Sequence, residues 1–273
     1  MEQKKKQYKR VLTIAGSDSG GGAGIQADIK AISAMGCYAA SAITAVTVQN
    51  TLGVESVHAI PLDTVRGQID AVLSDIGADA VKIGMLHSSE VVAVVADALA
   101  RHNVRNVVLD PVMVSTSGHR LIEESAIESL RKVLIPMARV ITPNVPEAEI
   151  LAGVTITSSE QFREVARQLS QGGKVSVLLK AGHLTDATVM DLFYNAEDDT
   201  FTELPSERIT TPNTHGTGCT LSSALAAAIA QGLPLTEAAR AAKDYIEGAI
   251  RSGSEYSIGG GHGPVNHFWR IEN

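Results

Sequence analysis

Cysteine is scarce in this 273-residue sequence, with only Cys37 and Cys219. Two thiols 182 positions apart give no disulfide framework and fit a reducing compartment, so the cytoplasm is the expected location. Aromatic residues make up 4% and there is one tryptophan, which leaves little for a base-stacking nucleic-acid surface. Net positive charge is lacking too. The formal charge is −7, and the only basic cluster is the N-terminal Lys4 to Arg10, read as a solvated tail over about residues 1–10. No signal-peptide core follows it, since Val11 to Ala15 is too short and glycines interrupt from Gly16. No apolar run reaches the length of a membrane span.

What is present is alternation. Short β-rich apolar runs ("RVLTIAG", "YAASAITAVTVQ", "DAVKIGML", "NVVLDPVM", "ARVITPN", "KVSVLLKAG") alternate with stretches of helical period ("AGIQADIKAISAM", "LDTVRGQIDAVLSDI", "SEVVAVVADALARHN", "EESAIESLRKVLI", "SSEQFREVARQLSQGG"). A hairpin is expected across "AEDD", then two helices from about Thr217 and Pro234. The pattern predicts an α/β fold with a mostly parallel sheet covered by helices on both faces. Without a linker or a fixed-period repeat, one domain over 1–273 is expected. Ligands of such sheets lie beyond the carboxyl ends of the strands, where "GSDSGGGAG", "VQN", "GML", "DPVM", "TPNVPEAE" and "KAGH" all fall.

The loop Gly16–Gly24 joins strand to helix, either as a structural turn or as a backbone cradle for a ligand. Gly22, Gly24 and Ala27 loosely fit a dinucleotide fingerprint, yet Gln49 and Asn50 stand where an acidic ribose ligand belongs, and no Walker-type loop occurs. Asp28 sits on the core side of its helix, where an unbonded carboxylate is costly. Two readings stay open for it: a salt bridge or dipole contact, and a hydrogen bond to a small ligand. Gln49 offers an amide that donates and accepts. Asp110 and Glu147 at neighbouring strand ends suit Mg2+ held partly through waters, although Glu147 alone reads as a first-turn acidic residue. Lys180 ends a strand within reach of a phosphate. Lys82 has no role beyond a paired or snorkelling cation. In "GTGC", Gly216 and Gly218 expose the amides of a helix start as an anion cradle. Cys219 lies in that first turn, where the helix terminus should lower its pKa; Cys37 reads as an ordinary small buried residue.

Taken together, "TIAGSDSGGGAGIQADIK", "ITAVTVQNT", "VKIGML", "LDPVMV", "ITPNVPEAE", "THGTGCTLSSALAA" and "GHGPVNHF" resemble one family: the bacterial hydroxymethylpyrimidine/phosphomethylpyrimidine kinases of thiamine biosynthesis, in the ribokinase-like superfamily. The resemblance runs nearly end to end. It implies a three-layer α/β/α sandwich, a homodimer, and ATP with Mg2+. It also implies two successive phosphorylations, first of a hydroxymethylpyrimidine and then of its monophosphate. Gly16, Asp28, Gln49, Met85 and Val112 would surround the pyrimidine. Asn144, Lys180 and Thr217 would serve ATP, with Asp110 and Glu147 toward the metal. Gly216, Gly218, Cys219 and Lys180 would carry the transfer, with Cys219 taking or orienting the acceptor's proton. Ala181 departs from the usual second glycine of "KAGH", and "VSTSG" (Val114 to Gly118) is a variable spot. The alternatives are a pyridoxal or pyridoxine kinase with the same loop, and a non-catalytic pyrimidine-binding regulator.

Overall fold

The computed structural model describes residues 6–113, 121–182 and 188–271. "VSTSG" and His183 of "KAGH" therefore lie outside the described residues.

Nine strands form one sheet in the order β3-β2-β1-β4-β5-β6-β7-β8-β9. The parallel centre comprises β2 (Tyr38–Asn50), β1 (Arg10–Asp18), β4 (Ala80–Ile83), β5 (Val107–Leu109), β6 (Val140–Ile141) and β7 (Ser176–Leu179). Three strands run antiparallel at the edges: β3 (Gly53–Ala59) beside β2, and the hairpin β8 (Thr188–Asn195) and β9 (Thr200–Glu207) beyond β7. The central strands are apolar on both sides, as a sheet covered on both faces requires.

Alternate strand residues feed two cores. Leu12, Ile14, Val81, Ile83 and Leu109 point toward α2 (Leu62–Ala71), α3 (Ser89–Arg101), α4 (Glu124–Ser129), α5 (Val145–Ala152) and α6 (Phe162–Leu169). Val11, Val108, Val140 and Leu178 point toward α1 (Gly24–Ala34), α7 (Thr217–Ala230) and α8 (Leu235–Gly253). The result is the expected three-layer sandwich. Two helices carry wider turns at their ends, over Val72–Ile76 and Leu130–Leu134.

Three local differences from the sequence reading have physical causes. β3 is a polar, largely exposed edge strand, so it carries no apolar signal. α1 starts at Gly24, one residue inside the stretch of helical period, because the Asp18 carboxylate accepts the Gly22 and Ala23 amides at 3.1 and 2.8 Å and holds them out of the helix. Arg10 belongs to β1 rather than to a solvated tail: its backbone amide and its guanidinium both donate to Asp79.

Candidate active site

β1 lies between β2 and β4, so successive connections leave it in opposite directions and open a crevice beyond the strand ends. Gly16, Met85, Asp110, Asn144 and Lys180 line up there, from the ends of β1, β4, β5, β6 and β7. They wall a cavity of about 650 Å3 together with Gln49, Val112 and the start of α7.

One end of the cavity is an apolar slot with an amide at its rim. A Cβ on Gly16 would stand 2.5 Å from Met85 Cε, so the glycine is what lets that methionine lie flat against the strand. Gln49 is oriented from behind. Its Oε1 accepts from Thr47 Oγ1 at 3.1 Å, and its Nε2 is 3.4 Å from His215 Nε2. His215 Nε2 in turn lies 2.9 Å from Asp18 Oδ2. Burial pushes the Asp18 carboxyl up, but the His215 contact and the Ala23 and Gly20 amides outweigh it and hold the group below its usual range. Sequence reading missed both Asp18 and His215. Their only signals were the single acid inside "GSDSGGGAG" and the histidine directly before "GTGC".

The other end is built from the two glycine loops and the first turn of α7. Gly216 caps α7 with φ 78°, and a Cβ there would collide with the Gly22 carbonyl. The two glycine loops thus meet backbone to backbone, a packing open to glycine alone. A Cβ on Gly218 would stand 3.2 Å from Lys180 Nζ and 3.5 Å from Asp110 Oδ2. The lysine and the carboxylate therefore sit directly against the first turn of α7, where amides lack helical partners. Thr217 Oγ1 donates back to the Thr214 carbonyl at 2.7 Å. Asp110 Oδ1 accepts from Lys180 Nζ at 2.9 Å and from Thr142 Oγ1 at 3.0 Å. Burial pushes Asp110 up, yet the Lys180 and Lys82 ammoniums hold it low. Asn144 and Glu147 form a capping box on α5, each side chain bonded to the other's backbone amide at 2.9 Å. Burial raises the Glu147 carboxyl to about 7, against the pull of Lys180 and with added repulsion from Asp110.

Two expectations are corrected. Asp28 does not line the cavity. It is fully buried and already bonded four times, by Lys82 Nζ at 2.8 and 2.9 Å, by Thr13 Oγ1 at 2.6 Å and by Ser223 Oγ at 2.7 Å. No acceptor capacity is left for a ligand, so the salt-bridge reading is the right one, and Lys82 is its partner. Cys219 does line the cavity, but its thiol is not acidified. Loss of hydration raises it to about 11, and the Lys82 charge and the Gly24 amide only partly oppose that. At neutral pH about one thiol in ten thousand is ionised. Iodoacetamide should therefore label Cys219 slowly at pH 7, with the rate still climbing at pH 10. Labelling that levels off below pH 8 would restore the thiolate.

Comparison with known proteins settles the family. A sequence model described as phosphomethylpyrimidine kinase matches residues 18–266. The chain belongs to the phosphomethylpyrimidine kinase family. This kinase is 50% identical to the hydroxymethylpyrimidine/phosphomethylpyrimidine kinase of Rhizobium meliloti, over 95% of this chain and 97% of that one. It is 49% identical to the thiamine biosynthesis bifunctional protein ThiED of Geobacter sulfurreducens, over 96% of this chain, and spans 53% of that longer protein. In three dimensions the kinase matches an ADP complex of Bacillus subtilis pyridoxal kinase with a TM-score of 0.89 at 36% identity, covering 98% of this chain and 100% of that one. The fold is thus ribokinase-like.

Proposed function

We propose that this kinase transfers the γ-phosphoryl group of ATP to 4-amino-5-hydroxymethyl-2-methylpyrimidine, and then phosphorylates the monophosphate, in thiamine biosynthesis. The observation that carries the reading is one cavity lined by Gly16, Met85, Val112 and the Gln49 amide at one end and by the first turn of α7 with Lys180 at the other. Gln49 pairs with the ring's amino and nitrogen edge, while Gly16, Met85 and Val112 cover its faces. The cradle amides and Lys180 receive charge as it develops on the transferring phosphoryl oxygens. A loose transition state needs little base assistance. Cys219 therefore orients the acceptor hydroxyl as a neutral thiol.

The donor set fits Mg2+. Among the described residues no group of three or more His, Cys, Asp or Glu could hold a metal by itself. Two neighbouring carboxylates, Asp110 and Glu147, suit an ion that keeps waters and phosphate oxygens as its other ligands. When bound it would neutralise phosphate charge. Asn144 and Thr217 lie along the same wall toward ATP. We also place the enzyme in the cytosol as a homodimer, for which the exposed Val46 and Val48 offer apolar surface on one face of β2; molar mass by light scattering tests the dimer.

The raised Glu147 carboxyl has a consequence for stability. Its ordinary value is 4.5 and its folded value about 7. Between those the folded state binds more protons than the unfolded one, so this group costs stability as pH rises through the window and is neutral below it. The expected cost above pH 7 is on the order of 3 kcal/mol. Glu147→Gln should remove it. His267 works in the opposite sense, since burial holds it down to about 4. It does so in both proteins, so the difference between their urea midpoints across pH 4.5–8 isolates Glu147. A pH-independent difference would refute the assignment.

The function is tested by ADP release with hydroxymethylpyrimidine, its monophosphate and pyridoxal side by side. The two pyrimidines should give the higher kcat/KM. Turnover of pyridoxal alone would reassign the enzyme to the activity of its close structural match, and no turnover with any acceptor would point to a binding protein.

A further inference from the structure

α7 carries two consecutive serines, Ser222 and Ser223, in the turn after Cys219, and both are fully buried. Each answers to a different carboxylate. Ser223 Oγ donates to Asp28 Oδ1 at 2.7 Å. Ser222 Oγ lies 3.4 Å from Asp110 Oδ2, and 3.0 and 3.1 Å from the carbonyls of Gly218 and Cys219. Each carboxylate is paired with a lysine of the sheet: Asp28 with Lys82 on β4, and Asp110 with Lys180 after β7. Each also accepts from a threonine, Thr13 on β1 or Thr142 just beyond β6. Two clusters of identical composition (Asp, Lys, Thr, Ser) therefore grip one turn of one helix. Only the Asp110 cluster borders the cavity.

The hidden cluster calls for a reason other than stability. Apolar side chains of like volume commonly hold a core as well as a buried ion pair does. A fully bonded polar network instead selects one arrangement of the elements it joins, and this one joins α1, β1, β4 and α7. Ser223 stands four residues after Cys219, on the same face of the helix. A rotation of α7 released at Ser223 would re-aim Cys219 and the amides beside it.

We propose that Asp28, Lys82 and Ser223 are positioning residues that fix the rotation and height of α7, so that its first-turn amides point at the transferring phosphoryl group. The proposal rests on the cradle as read under Proposed function, and it deepens that reading.

Two variants test it. Ser223→Ala cuts the link to α7 and leaves the Asp28–Lys82 pair in place. Thr13→Val removes a bond to the same carboxylate from the β1 side, away from α7. Both should lower Tm. Ser223→Ala should lower kcat about ten- to a hundredfold with KM for ATP and acceptor unchanged, while Thr13→Val should keep its kcat. The inference fails if Ser223→Ala retains kcat within about threefold, or if both variants lose kcat in proportion to Tm, which is general loosening. Wild-type preference among acceptors judges the proposed function separately. The variant-to-wild-type ratio is read on whichever acceptor the enzyme turns over, water included.

Discussion

Lys180→Met is expected to lower kcat by about a hundred- to a thousandfold while leaving KM for the pyrimidine nearly unchanged. Lys180 Nζ holds Asp110 at 2.9 Å and packs where a Gly218 side chain would begin, which sets its charge against the helix terminus proposed to receive the phosphoryl group. Its charge acts mainly in the transition state, where the phosphoryl oxygens gain charge, and that is why kcat should bear the loss. The substitution also strands Asp110 beside Glu147. Of the groups that hold the Asp110 carboxyl low, Lys180 is the strongest and Lys82 second, and without Lys180 it should move up. Steady-state kinetics over pH 6–9 check both parts. A kcat within about threefold of wild type would assign the charge to the amides and the metal, and Lys180 to structure.

Asp28→Asn should be the most damaging core substitution for stability. The change is nearly isosteric, but it leaves the fully buried Lys82 ammonium without an anion. Breaking a buried pair from one side costs about 3–5 kcal/mol, which in a chain of this size lowers Tm by roughly 6–20 °C. Lys82→Met should cost a similar amount, by leaving the carboxylate alone. Asp28→Leu with Lys82→Met should recover part of the loss and no more, because the Thr13 and Ser223 hydroxyls then lack their acceptor. The double-mutant cycle, with Asp28→Leu and Lys82→Met as its two single variants, measures this directly. Strict additivity of the two single losses would mean that the pair does not interact, and a Tm shift below about 2 °C for Asp28→Asn would refute the burial argument.

The sequence disclosed the sandwich because both of its signals are local: β-rich apolar runs, and helical period between them. It also pointed to residues that the fold gathers around one cavity, since strand-end position follows once the strands are known. Three things were hidden because they depend on partners distant in the chain. Lys82 had no role until Asp28, 54 residues away, was seen beside it. Asp28 could be read as ligand or as salt bridge, because helix position alone says that a buried carboxylate needs partners without saying which. His215 reaches Asp18 across 197 residues. Cys219 failed for a different reason. The helix terminus does favour a thiolate, but that effect is a fraction of the cost of burying the charge, and burial is invisible in a local motif. β3 escaped because an exposed edge strand has no apolar face to betray it.

α7 is buried from Thr220 through Ala230, on every side of the helix. Its backbone amides should exchange with solvent only through near-global opening, so very slow hydrogen exchange and the proposed phosphoryl cradle belong to the same helix. Any motion that admits substrates and releases products must then be supplied by the segments facing α7 across the cavity. Enzyme turnover and global unfolding would sample separate parts of the chain, and variants that stabilise the core could raise Tm without slowing the reaction.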